Sequence, residues 1–173
     1  KWAGYIDQYI LFPIWVRVAL RSTLSNTLFV FSDQALGPWV PLVEQRPHVV
    51  HAHDLLALRS ALGLVPENPT SWSGRLYQHY IRAGFRRAKN FISVSNKTKN
   101  DLVEYGNVEP FISEVVYNGL NFPFKPVPFE EARHLLAMAG FITQDAGVIL
   151  HISGNQWYKN VVGVIRIYAE YTK

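Results

Sequence analysis

At 173 residues and 49% hydrophobic content, the chain carries enough apolar surface to offset chain entropy, which favours a folded globular protein over a disordered polypeptide. Cysteine is absent, which excludes a disulfide framework, a thiolate nucleophile and any Cys-ligated zinc site. The formal charge of +4 leans toward anionic partners, but the basic residues cluster only at Arg82, Arg86, Arg87 and Lys89. That places them at the end of a predicted helix, where cations complement the carboxyl-end dipole. No nucleic-acid-binding motif accompanies them, so no nucleic-acid partner is expected.

The chain opens on an aromatic-rich stretch with Trp2, Tyr5, Tyr9, Phe12 and Trp15. Its most apolar run, Tyr9 to Leu20, holds Pro13 and Arg17 and is shorter than the roughly 20 residues that span a bilayer. The stretch is expected to cover part of its own sheet, with packing on a partner or a membrane surface as the alternative. No signal-peptide layout is present. Both ends look like cuts through ordinary structure.

Leu28–Phe31 reads as a buried strand, followed by Ser32-Asp33 and a helix from Ala35 to Glu44. His48–His51 is the next strand, with a loop through His53-Asp54. Pro69, Ser71 and Ser73 introduce a longer helix, whose apolar positions Tyr77, Tyr80, Ile81, Phe85 and Ala88 recur at helical spacing. Phe91–Val94 is a third strand. Ser95 or Asn96 then caps a helix from Lys97 to Tyr105, which Gly106 stops. Glu114–Tyr117 is a fourth strand.

Strand and helix in alternation predict an α/β fold with a parallel sheet. Ligands of such sheets bind beyond the carboxyl ends of the strands. Ser32-Asp33, His53-Asp54 and Ser95-Asn96 all fall at that edge.

Composition changes at Asn118. The stretch from Asn118 to Pro128 holds three prolines and one glycine in eleven residues, too stiff for a helix, and reads as an interdomain linker with a hinge at Asn118 and Gly119. Beyond it, Phe129–Ala139 is predicted helical, Val148–Ile152 a strand and Val161–Tyr171 a helix. The domain expectation is therefore a partial Rossmann-like unit over residues 1–117, a linker over 118–128, and the start of a second unit over 129–173.

Two local patterns carry chemistry. In Ile149 to Asn160 a strand runs through a loop with Gly154 into a helix, and free N–H groups at a helix start attract anions. Lys159, expected in the first helical turn, adds a full positive charge suited to a diphosphate. In His51-Ala52-His53, two imidazoles share one face of an extended strand, a metal-ligand spacing that keeps a metal-dependent hydrolase open as an alternative. His79, His134 and His151, expected in a helix, a helix and a strand interior, offer no obvious further ligand.

Several motifs together resemble glycosyltransferase family four, of the glycogen-synthase-like superfamily. His53-Asp54-Leu55 after a buried strand is similar to the family's HD loop. Val94-Ser95-Asn96-Lys97-Thr98 resembles its VS-x-x-T turn, and Tyr117-Asn118-Gly119-Leu120-Asn121 its PNG-[VI]-[DN] segment. Gly154 to Asn160 looks like a variant of its donor-phosphate loop. The order and spacing over residues 48–173 are more specific than any one motif.

The resemblance implies a GT-B fold of two Rossmann-like units, both incomplete here: the end of an acceptor-side domain and the start of a donor-binding domain. It implies transfer of a sugar from a nucleotide-sugar donor to a hydroxyl of a carbohydrate or glycolipid acceptor, with anomeric retention and no metal or other cofactor. It makes His53 the catalytic residue that bonds the donor sugar. Gly154, Asn155 and Lys159 would bind the donor diphosphate, with Lys159 neutralising the leaving group. Asp54 would orient His53 or, in preference, cap the following helix. The implied setting is the cytoplasm, with peripheral membrane contact left open.

Three departures accompany the likeness. Asn155 or Gln156 stands near the place of an expected Arg. The Gly-rich loop near the family's amino end is missing, and so is its later pair of glutamates. A fragment of this kind is expected to be inactive alone. The non-catalytic alternative is a module that binds a nucleotide sugar or another protein.

Overall fold

A computed structural model of the chain describes residues 2–141, 150–154 and 156–172. It forms two compact units, Lys1–Gly119 and Leu120–Lys173. The boundary falls inside the proline-bearing stretch, where residues 118–128 adopt neither helix nor strand.

The first unit begins with α1 (Trp2–Ile6), a π-helical turn over Asp7–Leu11 and α2 (Phe12–Ala19). Pro13 explains the wide turn. Its ring clashes with the carbonyl one turn back and it has no N–H to donate, so Phe12 N–H reaches back five residues to Asp7. Trp39 Nε1–H takes up the carbonyl of Gln8 in the same turn at 3.2 Å. Past the end of α2, the Arg46 guanidinium donates to the carbonyls of Leu20, Thr23 and Leu24, tying the chain's return to the sheet. Among the described residues no helix is long and apolar enough to cross a membrane.

The sheet has four parallel strands in chain order: β1 (Phe29–Phe31), β2 (His48–Ala52), β3 (Asn90–Ser93) and β4 (Ile112–Val115). Phe29 pairs with His48, Val50 with Phe91, and Phe91 with Ser113. The alternating α/β reading therefore holds for this unit. Strand limits move by a residue or two, most at β4, which starts before the expected Glu114 because Phe111 and Ile112 already donate to the Lys89 carbonyl.

β2 alternates buried and half-buried positions along its length. His48 is the buried polar exception, 2% exposed. Its Nδ1 lies 2.8 Å from the Arg46 carbonyl and its Nε2 accepts from Lys89 N–H at 3.2 Å. The carbonyl can only accept, so the ring carries its proton on Nδ1 and both nitrogens are used.

The segment expected as a helix over Ala35–Glu44 is instead a 3-10 helix, Gln34–Leu42. Pro38 and Pro41 inside it lack the N–H groups an α-helix needs, and the tighter winding tolerates the gap. Asp33 caps it, its carboxylate accepting from Ala35 N–H at 2.7 Å. It packs on α4 (Trp72–Phe85), which Ser71 caps at Gly74 N–H. α3 (Leu56–Ala61) lies between β2 and α4 in sequence. The core joins Val40 from the 3-10 helix, Val50 and Phe91 from the sheet, Ile81 and Phe85 from α4, and Leu102 from α5 (Asn96–Glu104).

Ser95 rather than Asn96 caps α5, its hydroxyl accepting from Thr98 N–H. The left-handed residue that ends this helical region is Asn107, φ 54°, not Gly106. Glycine serves there by close approach, since a Cβ would collide with the Leu102 carbonyl. The basic cluster is used within the fold. Arg82 donates to Gly106, Arg86 to Asn107, and Arg87 pairs with Glu44.

In the second unit α6 (Phe129–Met138) and α7 (Val161–Tyr171) match the helical expectations. The strand expected over Val148–Ile152 does not appear at its described residues, Leu150–Ile152, while Val148 and Ile149 lie outside the described residues. His151 is accordingly not in a strand. A strand is held by a neighbour's hydrogen bonds, and this unit's described residues contain no other strand.

Candidate functional site

Parallel strands bring every carboxyl end to one edge, and three loops meet there. The segment after β1 supplies Ser32, Asp33 and Gln34, the last of these opening the 3-10 helix; that after β2 supplies His53 and Asp54; and that after β3 supplies Ser95 and, in the first turn of α5, Thr98. His53 is exposed and its main chain and ring are held from both sides. Its N–H donates to Gln34 Oε1 at 3.1 Å, its carbonyl accepts from Thr98 Oγ1 at 3.0 Å, and its Nε2 lies 3.0 Å from the Ser32 carbonyl. Gln34 closes the clamp by donating through Nε2 to the Asp54 carbonyl at 2.6 Å.

The Asp54 carboxylate accepts from Leu56 N–H at 2.9 Å, the first residue of α3. It is thereby engaged at the helix start, as a short acidic side chain before a helix favours. Nearby, Thr98 is 4% exposed, and Ser95 Oγ lies 3.1 Å from Thr98 Oγ1 as well as capping α5. One Ser-x-x-Thr turn therefore both starts a helix and reaches across to the histidine loop.

His51 lies one turn of the pleat behind His53, with ring centroids 4.4 Å apart. Burial pushes the His51 pKa below its ordinary value, the neighbouring His53 ring adds to that, and Asp33 opposes it. No group of three or more His, Cys, Asp or Glu side chains able to hold a metal ion forms among the described residues. The two imidazoles alone fall short of the three protein ligands a catalytic zinc takes.

Residues 29–122 match the profile of a family described as Glycosyltransferase Family 4, more than half of the chain. The chain belongs to glycosyltransferase family 4. The matched segment runs from β1 to the proline-bearing stretch, so it contains His53, Asp54, the Ser95–Thr98 turn, Asn118 and Gly119. No curated protein and no solved structure matches the chain.

The remaining residues of the expected site lie beyond the matched family segment, in the second unit. Lys159 is not in the first turn of α7. It closes a short 3-10 turn, Trp157–Lys159, two residues ahead of that helix. Asn160 intervenes in a left-handed conformation, φ 49°, and accepts from Gly163 N–H, so the α7 start is capped by the chain itself. Lys159 Nζ sits 5.2 Å from the centroid of the Tyr158 ring, a cation–π distance. A Cβ on Gly154 would meet the end of the Gln156 side chain. Asn155 lies outside the described residues. At the expected hinge, Gly119 has open space around it, so no close contact requires glycine there.

Sequence reasoning missed Gln34. Its signal was its place just past a strand's carboxyl end together with an amide, a side chain that donates and accepts at once.

Proposed function

We propose that this glycosyltransferase-family chain moves a sugar from a nucleotide-sugar donor to a hydroxyl of a carbohydrate or glycolipid acceptor, with retention at the anomeric carbon. The bond from that carbon to the donor diphosphate breaks with its electron pair leaving on the diphosphate oxygen, a bond to the acceptor oxygen forms, and the acceptor hydroxyl's proton passes to the departing diphosphate. The observation that carries the reading is His53, exposed at the carboxyl edge of the family-matched sheet and held by Ser32, Gln34 and Thr98. Positioned polar groups of this kind supply catalysis when they meet charge that develops only in the transition state.

In this reading the first unit is the acceptor-side part of a GT-B fold and the second the start of the donor-binding part. Gly154, Asn155 and Lys159 contact the diphosphate. Lys159 supplies positive charge to the departing group, the role a metal fills elsewhere. Support for the second unit is the motif likeness and the exposed Lys159 ammonium beside a glycine-bearing loop. The test is release of nucleoside diphosphate by the full-length protein from a panel of nucleotide sugars, with the product's anomeric configuration read by NMR. Transfer with retention is the expected result. Metal-dependent hydrolysis without transfer would replace the reading.

A further inference from the structure

We infer that Gln34 is a positioning residue for the proposed transfer: it holds the His53 loop so that the imidazole spends Nε2–H on the Ser32 carbonyl and keeps Nδ1 as the acceptor for a sugar hydroxyl. The inference rests on the transferase reading for the identity of the ligand, and on hydrogen-bond chemistry for the rest. A peptide carbonyl only accepts, so the 3.0 Å contact from His53 Nε2 to Ser32 O requires the proton on Nε2. Nδ1 has no hydrogen-bond partner among the described residues, and in that tautomer it carries a lone pair. A lone pair binds a hydroxyl that donates, which fits a sugar better than a phosphate, which brings only acceptors when fully ionised.

Gln34 makes this arrangement unique. Its Oε1 takes His53 N–H and its Nε2 gives to the Asp54 carbonyl, so one amide reads a donor and an acceptor flanking the His53–Asp54 peptide. Thr98 holds the carbonyl between them. With these three main-chain groups fixed, the His53 Cα–Cβ bond is held where the side chain brings Nε2 to the Ser32 carbonyl. Gln34→Met keeps the length but makes neither bond. Gln34→Glu keeps an acceptor for His53 N–H and sets a carboxylate against the Asp54 carbonyl.

The experiment is carried out on the full-length protein. Imidazole nitrogen shifts of His53 are read by NMR in the wild type and in Gln34→Met, alongside thermal melting and steady-state kinetics. The expected wild-type result is the Nε2–H tautomer. In Gln34→Met the tautomer signal becomes mixed, turnover falls on the order of tenfold or more, and donor KM shifts far less, because a small misplacement costs the transition state more than the ground state. A wild-type ring protonated on Nδ1 overturns the proposal, and so does a variant whose nitrogen shifts match the wild type. If Gln34→Met does not fold, Gln34→Glu is read against the same two criteria. Absence of any sugar transfer by the wild type would defeat the transferase reading, while the tautomer measurement still decides whether Gln34 positions His53.

Discussion

Gly37 and Gly84 meet backbone to backbone where the 3-10 helix crosses α4. A Cβ on Gly84 would collide with the Gly37 carbonyl, and one on Gly37 with the Ile81 carbonyl. This contact lets the helix bearing Gln34 at its first position lie close against the core, and so sets where Gln34 reaches the histidine loop.

In an exposed helix, replacing glycine by alanine gains about 0.5–1 kcal/mol. At Gly84 the sign reverses, because the clash is with main chain that cannot rotate away, and overpacking of this kind costs about 1–3 kcal/mol. Gly84→Ala should therefore unfold at lower urea than the wild type. Gly4→Ala, where a Cβ meets nothing within 4 Å, should be neutral or stabilised. Equal midpoints for the two variants would show that the helices do not pack at this distance.

Acid should weaken the first unit through His51. The folded state lowers its pKa, chiefly by burial and then through His53, whereas the unfolded chain takes up the proton near the ordinary histidine value, about 6.5. Between those two values the unfolded chain holds more protons, so stability falls as pH drops through that window and is fully restored above it. His51→Asn should flatten this part of the profile. Urea midpoints measured from pH 8 to pH 5 give the comparison, and an unchanged slope in the variant would remove His51 as the source.

His53 is exposed and contributes one ring hydrogen bond to the fold, so His53→Ala should cost no more than about 1 kcal/mol of stability. Its effect on sugar transfer by the full-length protein should be far larger, seen in kcat more than in donor KM. Normal kinetics in a folded variant would take His53 out of the active site.

The sheet was readable because its strands are short apolar runs separated by capped helices, and neither Phe91–Ser93 nor His48–Ala52 has a competing period. The 3-10 helix was not, since Val40 and Leu42 look helical until Pro38 and Pro41 are counted as missing donors. His53 was readable from the strand before it and the aspartate after it. The groups that fix it were hidden, because Gln34 and Thr98 lie 19 and 45 residues from it in sequence, and long-range hydrogen bonds leave no local pattern. Lys159 lies one element ahead of its expected place because Asn160, a left-handed residue that also caps α7, separates the 3-10 turn from that helix.

Lys159 carries the firmest charge prediction. A diphosphate leaving group gains negative charge as the glycosidic bond breaks, so a positioned cation stabilises the transition state more than the ground state. With Asn160 capping α7 and accepting from Gly163 N–H, one helix-start donor is already engaged. In the proposed transfer, more of the stabilisation would then fall on the ammonium itself. Tyr158 beneath it, with Nζ 5.2 Å from the ring centroid, limits where that charge can sit. Lys159→Ala in the full-length enzyme should cut turnover by on the order of a hundredfold, a loss of about 3 kcal/mol, comparable to removing an oxyanion donor. Lys159→Arg should recover part of it, because the charge survives while its geometry changes. Tyr158→Leu should act in the same direction but more weakly, since it frees the cation without removing it. Steady-state kinetics at saturating donor distinguish these outcomes, and near-normal turnover in Lys159→Ala would detach the second unit's loop from phosphate binding.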